Sequence, residues 1–503
     1  MRPIDGAGSI MTSRTRITAL LAFLTFASRL PAQQQPDADA TQLSAQIAAY
    51  LEAHHAQRQW SGTALVAEDG KVVYRAAFGL ANADWNIPNE LDTKFRVGAI
   101  TKQFTAMLVL LLVQEGKLEL DVPIGRYLPQ LPTESGDRVT IHHLLTHTSG
   151  IPSSQNRPGW QRDVLRHHTV AEFVADYCSG PLEFEPGTAF SHANSGYFLV
   201  GAIVEAVTGQ TYATALRQRV LDPLQMNDTG YDDESAVLEK RAIGYEDLLG
   251  QRRVAPFTDM SNHFASDGLY STVGDLWKWE QALRSKSLLD GMLVQRMFTP
   301  GMGDYGYGWH IDHHGTWHGS FNVVPADGVV PGFEALIGRL PSRGRCLILL
   351  SNSRYSFLTD AAEGVEAILK GKTPEAPTPS PAWSLAQTVL DRGIEAGLTR
   401  LLELPLSMRE TPRLPPGIVE STIELLGYRL LKQHRVDDAV RLFEFNTRAF
   451  PESARRWASL GDAHLQAGNR KLAIESLRKA SLLEPWNTAA KTRLAEIEEL
   501  AGK

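Results

Sequence analysis

Cysteine is nearly absent, with only Cys178 and Cys346 among 503 residues. Two cysteines allow at most one disulfide, and the better reading is that Cys346, which opens the apolar run CLILL, is a small buried hydrophobe on a strand. An excess of basic charge is missing too. The formal net charge is −7, which argues against nucleic acid or an acidic membrane surface as partner; short basic stretches such as RGR at 343–345 read as solvated loop. No stretch after the N-terminus reaches the length of a bilayer-spanning helix. Compositional bias is also lacking: 43% hydrophobic and 21% charged residues describe an ordinary globular chain, long enough for about three domains.

What is present begins at the N-terminus. Met11, a candidate true start, opens MTSRTRITALLAFLTFASRLPAQQQ, where Arg14 and Arg16 precede the apolar run Ile17–Ala27 and Leu-Pro-Ala meets a glutamine run. This layout predicts a secretory signal over 1–32, and hence an exported protein, periplasmic or secreted. A helix is expected over 40–57, then two strands joined by Asp69-Gly70, a pair suited to a type I′ turn. An apolar helical run covers 99–116, strands return at 329–352, and a helix follows at 358–370. Strands at both ends of a helical middle predict an α/β domain of the α+β type over 40–370, an antiparallel sheet flanked by helices with an all-helical subdomain.

GKTPEAPTPSPAW, residues 371–383, carries four prolines and reads as a semi-rigid linker. Beyond it, over 384–503, the chain is helical and it repeats. Gly427 and Gly461, Ala439 and Ala473, Phe443 and Leu477, and Pro451 and Pro485 are each 34 residues apart. With Trp457-x-x-Leu460-Gly461, this matches the tetratricopeptide pattern and predicts repeats over about 423–456 and 457–490, a capping helix at 487–501 and an added helix at 384–402. Such a solenoid either offers a groove to a protein or peptide partner or packs as a stabilising appendage.

FRVGAITKQFTA at 95–106, LLTHTSGIPS at 144–153 and PGTAFSHANSGYFLVGAIVEAVTG at 186–209 occur in this order. ASDGLYSTVGDLWKW at 265–279, YGYGW at 305–309 and VVPGF at 329–333 follow. Together they resemble the serine β-lactamase-related family, which includes penicillin-binding peptidases, class C-like β-lactamases and esterases. The resemblance implies a Ser-x-x-Lys motif whose lysine takes the serine's proton, so that an alkoxide attacks the substrate carbonyl. Lys102 holds the lysine position, but Ala99 stands at the nucleophile position and has no oxygen to activate. The family's Tyr-x-Asn element aligns with His192 and Asn194. Its Lys/His-x-Gly element aligns with Ala326-Asp327-Gly328, without a cation; His318-Gly319-Ser320 is the alternative alignment. By resemblance the oxyanion hole uses the backbone N–H groups of Ala99 and Val329, which are indifferent to side-chain loss.

Other nucleophiles are poor candidates: Thr101 should point away from the cleft, and Ser191 and Ser195 should bond locally. His147 and Ser149 are read as structural. In WHIDHHGTWHG, His310, Asp312, His314 and His318 could share a strand face, but spacing alone is weak support, and no metal or other cofactor is expected. The first expectation is therefore a catalytically impaired pseudo-hydrolase that binds a peptide, ester or cell-wall-like ligand in the cleft and a protein through its repeats. Two alternatives stay open. One is an active esterase, peptidase or β-lactamase-like enzyme, with Ala99 engineered or with noncovalent hydrolysis through His192 and Lys102. The other is a repeat-borne interaction protein with the first domain as scaffold.

Overall fold

The computed structural model describes residues 38–57, 60–157, 160–248, 251–311, 318–321, 330–354, 356, 358–378, 381–403, 416–483, 493–495 and 497. The expected secretory signal over 1–32 lies outside the described residues, as does most of the expected capping helix. Among the described residues no helix is long and apolar enough to cross a membrane.

Two segments from opposite ends of the first domain build its sheet. Helix α1 (Ala38–Ala56) leads into β1 (Gly62–Glu68) and β2 (Lys71–Phe78). The hairpin closes through Asp69 and Gly70, both at positive φ (51° and 72°), as a type I′ turn requires. After the helical middle come β3 (His310–Ile311), β4 (His318–Phe321), β5 (Glu334–Leu340) and β6 (Arg345–Ser351). Together they form one six-stranded antiparallel sheet in the order β3-β4-β5-β6-β1-β2.

Strand side chains alternate between faces, and here both faces are apolar. Ala64, Val66, Leu336, Leu347 and Leu349 pack under α1 and the helix Leu358–Leu369. Leu65, Ala67, Ala335, Ile337, Cys346, Ile348 and Leu350 join the larger core beneath the helical middle. The sheet is thus the middle layer of three. Both cysteines are buried and unpaired.

Three helices of the middle matter for the site. Thr101–Gln114 is buried on every side as far as Leu112, the signature of a central helix rather than a surface one. Gly98–Ile100 forms a tight 3-10 turn at its start. Asn194–Thr208 and Val273–Ser285 are the other two.

The C-terminal part is entirely helical. Pro381–Arg392 and Ile394–Glu403 form one hairpin. A single helix over 384–402 was expected; Gly393, at φ 87°, breaks it. The first of these helices also starts inside the span read as linker, because proline is tolerated in a first helical turn. The pairs Pro416–Lys432 with Val436–Ala449 and Ala454–Gln466 with Arg470–Leu483 follow. They repeat in detail. A methyl group on Gly427 would meet the Phe443 ring, and one on Gly461 would meet Leu477. The same close approach therefore recurs one period later.

Candidate functional site

Ala99 lies in the 3-10 turn at the head of the central helix, half-buried, and Lys102 sits in the first turn of that helix. The turn packs against β4, β5 and the strand Leu269–Ser271. Two threonines tie the segment 265–269 onto the helix. The Thr101 hydroxyl accepts the Leu269 N–H at 3.1 Å, and the Thr105 hydroxyl donates to the Ala265 carbonyl at 2.7 Å. Thr101 is thus a structural clamp. Ser195 is likewise buried, its Oγ accepting the Ser154 N–H at 2.8 Å.

The stitching brings Asp267 to Lys102. The lysine Nζ donates to Asp267 Oδ1 at 3.1 Å and to the Ser266 carbonyl at 3.2 Å. The two side chains are only 1% and 2% exposed. Ser266 Oγ donates to the other carboxylate oxygen at 2.8 Å. Burial pushes the Lys102 pKa below its ordinary value, and the Asp267 charge opposes that shift. The Tyr197 ring centroid lies 5.6 Å from the lysine nitrogen. The lysine is thus sealed from solvent and paired with a carboxylate.

His192 and Asn194 precede and begin the helix Asn194–Thr208. Asn194 is buried, and its Oδ1 has no hydrogen-bond partner. His192 is exposed, with its ring centroid 4.3 Å from that of the buried His147. Its pKa is lowered to about 3, first by desolvation and then by the Lys102 charge. The imidazole is accessible to water yet crowded by protein, as a cleft wall would be.

His147 accepts the Ala193 N–H through Nδ1 at 3.3 Å and holds φ at 57°, a costly backbone for a residue of its shape. Its buried Nε2 has no partner. Tyr305 packs 4.7 Å from it, and the exposed His310 packs 4.8 Å from Tyr305. Desolvation by the surrounding protein lowers the pKa of both His147 and His310. Gly308, at φ 80°, lies against the backbone of Lys102 and Gln103 so closely that a Cβ would come within 2.8 Å of it. That contact fixes YGYGW beside the site.

Ala326, Gly328 and Val329 lie outside the described residues, as do Asp312 and His314. His318-Gly319-Ser320 forms part of β4, paired with β5. Among the described residues no cluster of three metal-ligating side chains is present.

Residues 23–370 match the family model described as Beta-lactamase. This chain belongs to the beta-lactamase family. Esterase EstB of Burkholderia gladioli is 37% identical over 223 residues, covering 42% of this chain and 56% of the esterase. The penicillin-binding protein from Bacillus halodurans superposes with a TM-score of 0.55 at 28% identity, over 63% of this chain and 98% of that one. The D-amino acid amidase from Ochrobactrum anthropi SV3 gives 0.57 at 26% identity, over 66% and 99%.

Within this beta-lactamase-family domain, Lys102, His192 and Asn194 were singled out by the resemblance of their motifs to the family. Asp267, Tyr197, Tyr305 and the stacking of His147 on His192 were not. Asp267 and Tyr305 stood inside recognised stretches, ASDGLYS and YGYGW, without a signal that either would turn inward.

Proposed function

We propose that this member of the beta-lactamase family is an exported pseudo-hydrolase, whose cleft binds a peptide, ester or cell-wall-like ligand without acylation. One observation carries the reading: Ala99 stands at the nucleophile position, and the lysine that would activate a hydroxyl there is buried against Asp267. Relatives and structural neighbours named as an esterase, a penicillin-binding protein and an amidase all point to ligands with a carbonyl to hold. The unpartnered Oδ1 of Asn194 is an acceptor suited to such a ligand's N–H. The recurrent Gly427–Phe443 and Gly461–Leu477 contacts support tetratricopeptide-like repeats, which would hold a protein or peptide partner.

One observation favours a second reading. His192 is exposed and neutral, and a neutral imidazole can serve as general base for water. Turnover of a p-nitrophenyl ester by the parent, Lys102→Ala and His192→Ala proteins separates the two. The pseudo-hydrolase reading expects all three at the uncatalysed rate. Parent turnover that His192→Ala abolishes would replace it with noncovalent hydrolysis.

A further inference from the structure

We infer that Asp267 sets the ligand class of this cleft, which takes uncharged carbonyl compounds, amides or esters with a ring-bearing group, in preference to ligands ending in a carboxylate. The inference rests on the ligand-binding reading above and adds the chemistry of the ligand.

The argument is one of charge. A free carboxylate that leaves water needs a cation or several donors in return; otherwise its desolvation goes uncompensated. The lysine that could supply the cation is 1% exposed, and its ammonium is matched by the Asp267 carboxylate at 3.1 Å. To a ligand above Ala99 the pair presents no net charge. Between Arg296 and Arg339 the sequence has no lysine or arginine, so neither YGYGW nor β3 and β4 can bring a permanent cation. His192 and His310 belong to one continuous wall of rings with His147 and Tyr305, and Phe190 packs 6.0 Å from Tyr305. Desolvation by the surrounding protein lowers the pKa of all three imidazoles and so favours their neutral form.

The head of the central helix does favour negative charge, but such a terminus contributes only about 0.3–1 kcal/mol where water has access. Asp267, packed beside the first turn of that helix, already brings a negative charge there. What the site does offer is suited to a neutral ligand: rings for an apolar group and the Asn194 carbonyl oxygen as acceptor for an amide N–H.

The test is equilibrium binding to the full chain of a matched pair, an N-benzoyl-D-alanyl-D-alanine and its C-terminal carboxamide, at pH 7.5 by calorimetry. The carboxamide should bind at least about tenfold more tightly than the free acid, the order of penalty for burying an unpaired charge. In Asp267→Asn the Lys102 charge is unmatched, and the preference should shrink or reverse. Free acid bound as tightly as carboxamide by the parent overturns the inference while leaving a ligand-binding cleft in place. Binding of neither compound overturns both. The parent's own selectivity decides the matter if Asp267→Asn does not fold.

Discussion

At the scale of single residues, the site is defined by a missing hydroxyl and a buried ion pair. Ala99 removes the hydroxyl, and Asp267 occupies the lysine that would have activated it. The first fact follows from the family resemblance, whose motif places a serine three positions before Lys102. The second is not, since Asp267 is 165 residues away and reaches the lysine only through the hydrogen bonds of Thr101 and Thr105 to 265–269. Buried ion pairs are costly to break from one side. Lys102→Met should destabilise the first domain by about 3–5 kcal/mol, because a buried carboxylate loses its partner, whereas Lys102→Met/Asp267→Leu should recover most of that loss. Urea midpoints of parent, single and double variants check this. A single variant as stable as the parent would mean that the pair is not holding the site.

At the scale of elements, periodicity predicted well where local chemistry decides and poorly where a single backbone angle does. The hairpin at Asp69-Gly70, the buried helix ending near Gly116 and the strands after VVPGF all had local signals in composition and turn residues. The break at Gly393 did not, because an isolated glycine is compatible with either a helix interior or its end. In the C-terminal helices the 34-residue spacing was informative because it reflects a physical contact, glycine in one helix against Phe443 or Leu477 in the next. Gly427→Ala places a methyl 2.3 Å from the Phe443 ring tip and should cost about 1–3 kcal/mol by overpacking. Its expected signature is a lower midpoint for the C-terminal helices in thermal circular dichroism, with the melting of the first domain unchanged. An unaltered midpoint would show that these helices do not pack as repeats.

At the scale of the whole molecule, a sheet apolar on both faces explains why the first and last segments of the domain share one core although some 240 residues separate β1 from β3. The same burial makes the protein sensitive to acid. Desolvation pushes His54 and His263 down to about 4, and His147 is also held well below its ordinary value. In the unfolded chain these imidazoles bind protons near pH ~6.5. The folded state therefore binds fewer protons, so stability is full above that pH and falls as pH drops through 6.5 toward the folded values. For His263 the loss at pH 5 is about 2 kcal/mol. The melting temperature should fall between pH 7 and pH 5, and His263→Gln should flatten that fall; an equal slope in the variant would assign the acid sensitivity to other groups.

The most direct test of the central claim is intact-mass spectrometry of the folded parent after prolonged incubation with benzylpenicillin. With no oxygen at residue 99 and its lysine paired to Asp267, the mass should remain that of the free protein. A stoichiometric increase by one penicilloyl group, stable to acid quench, would contradict the account and reveal a nucleophile elsewhere in the cleft.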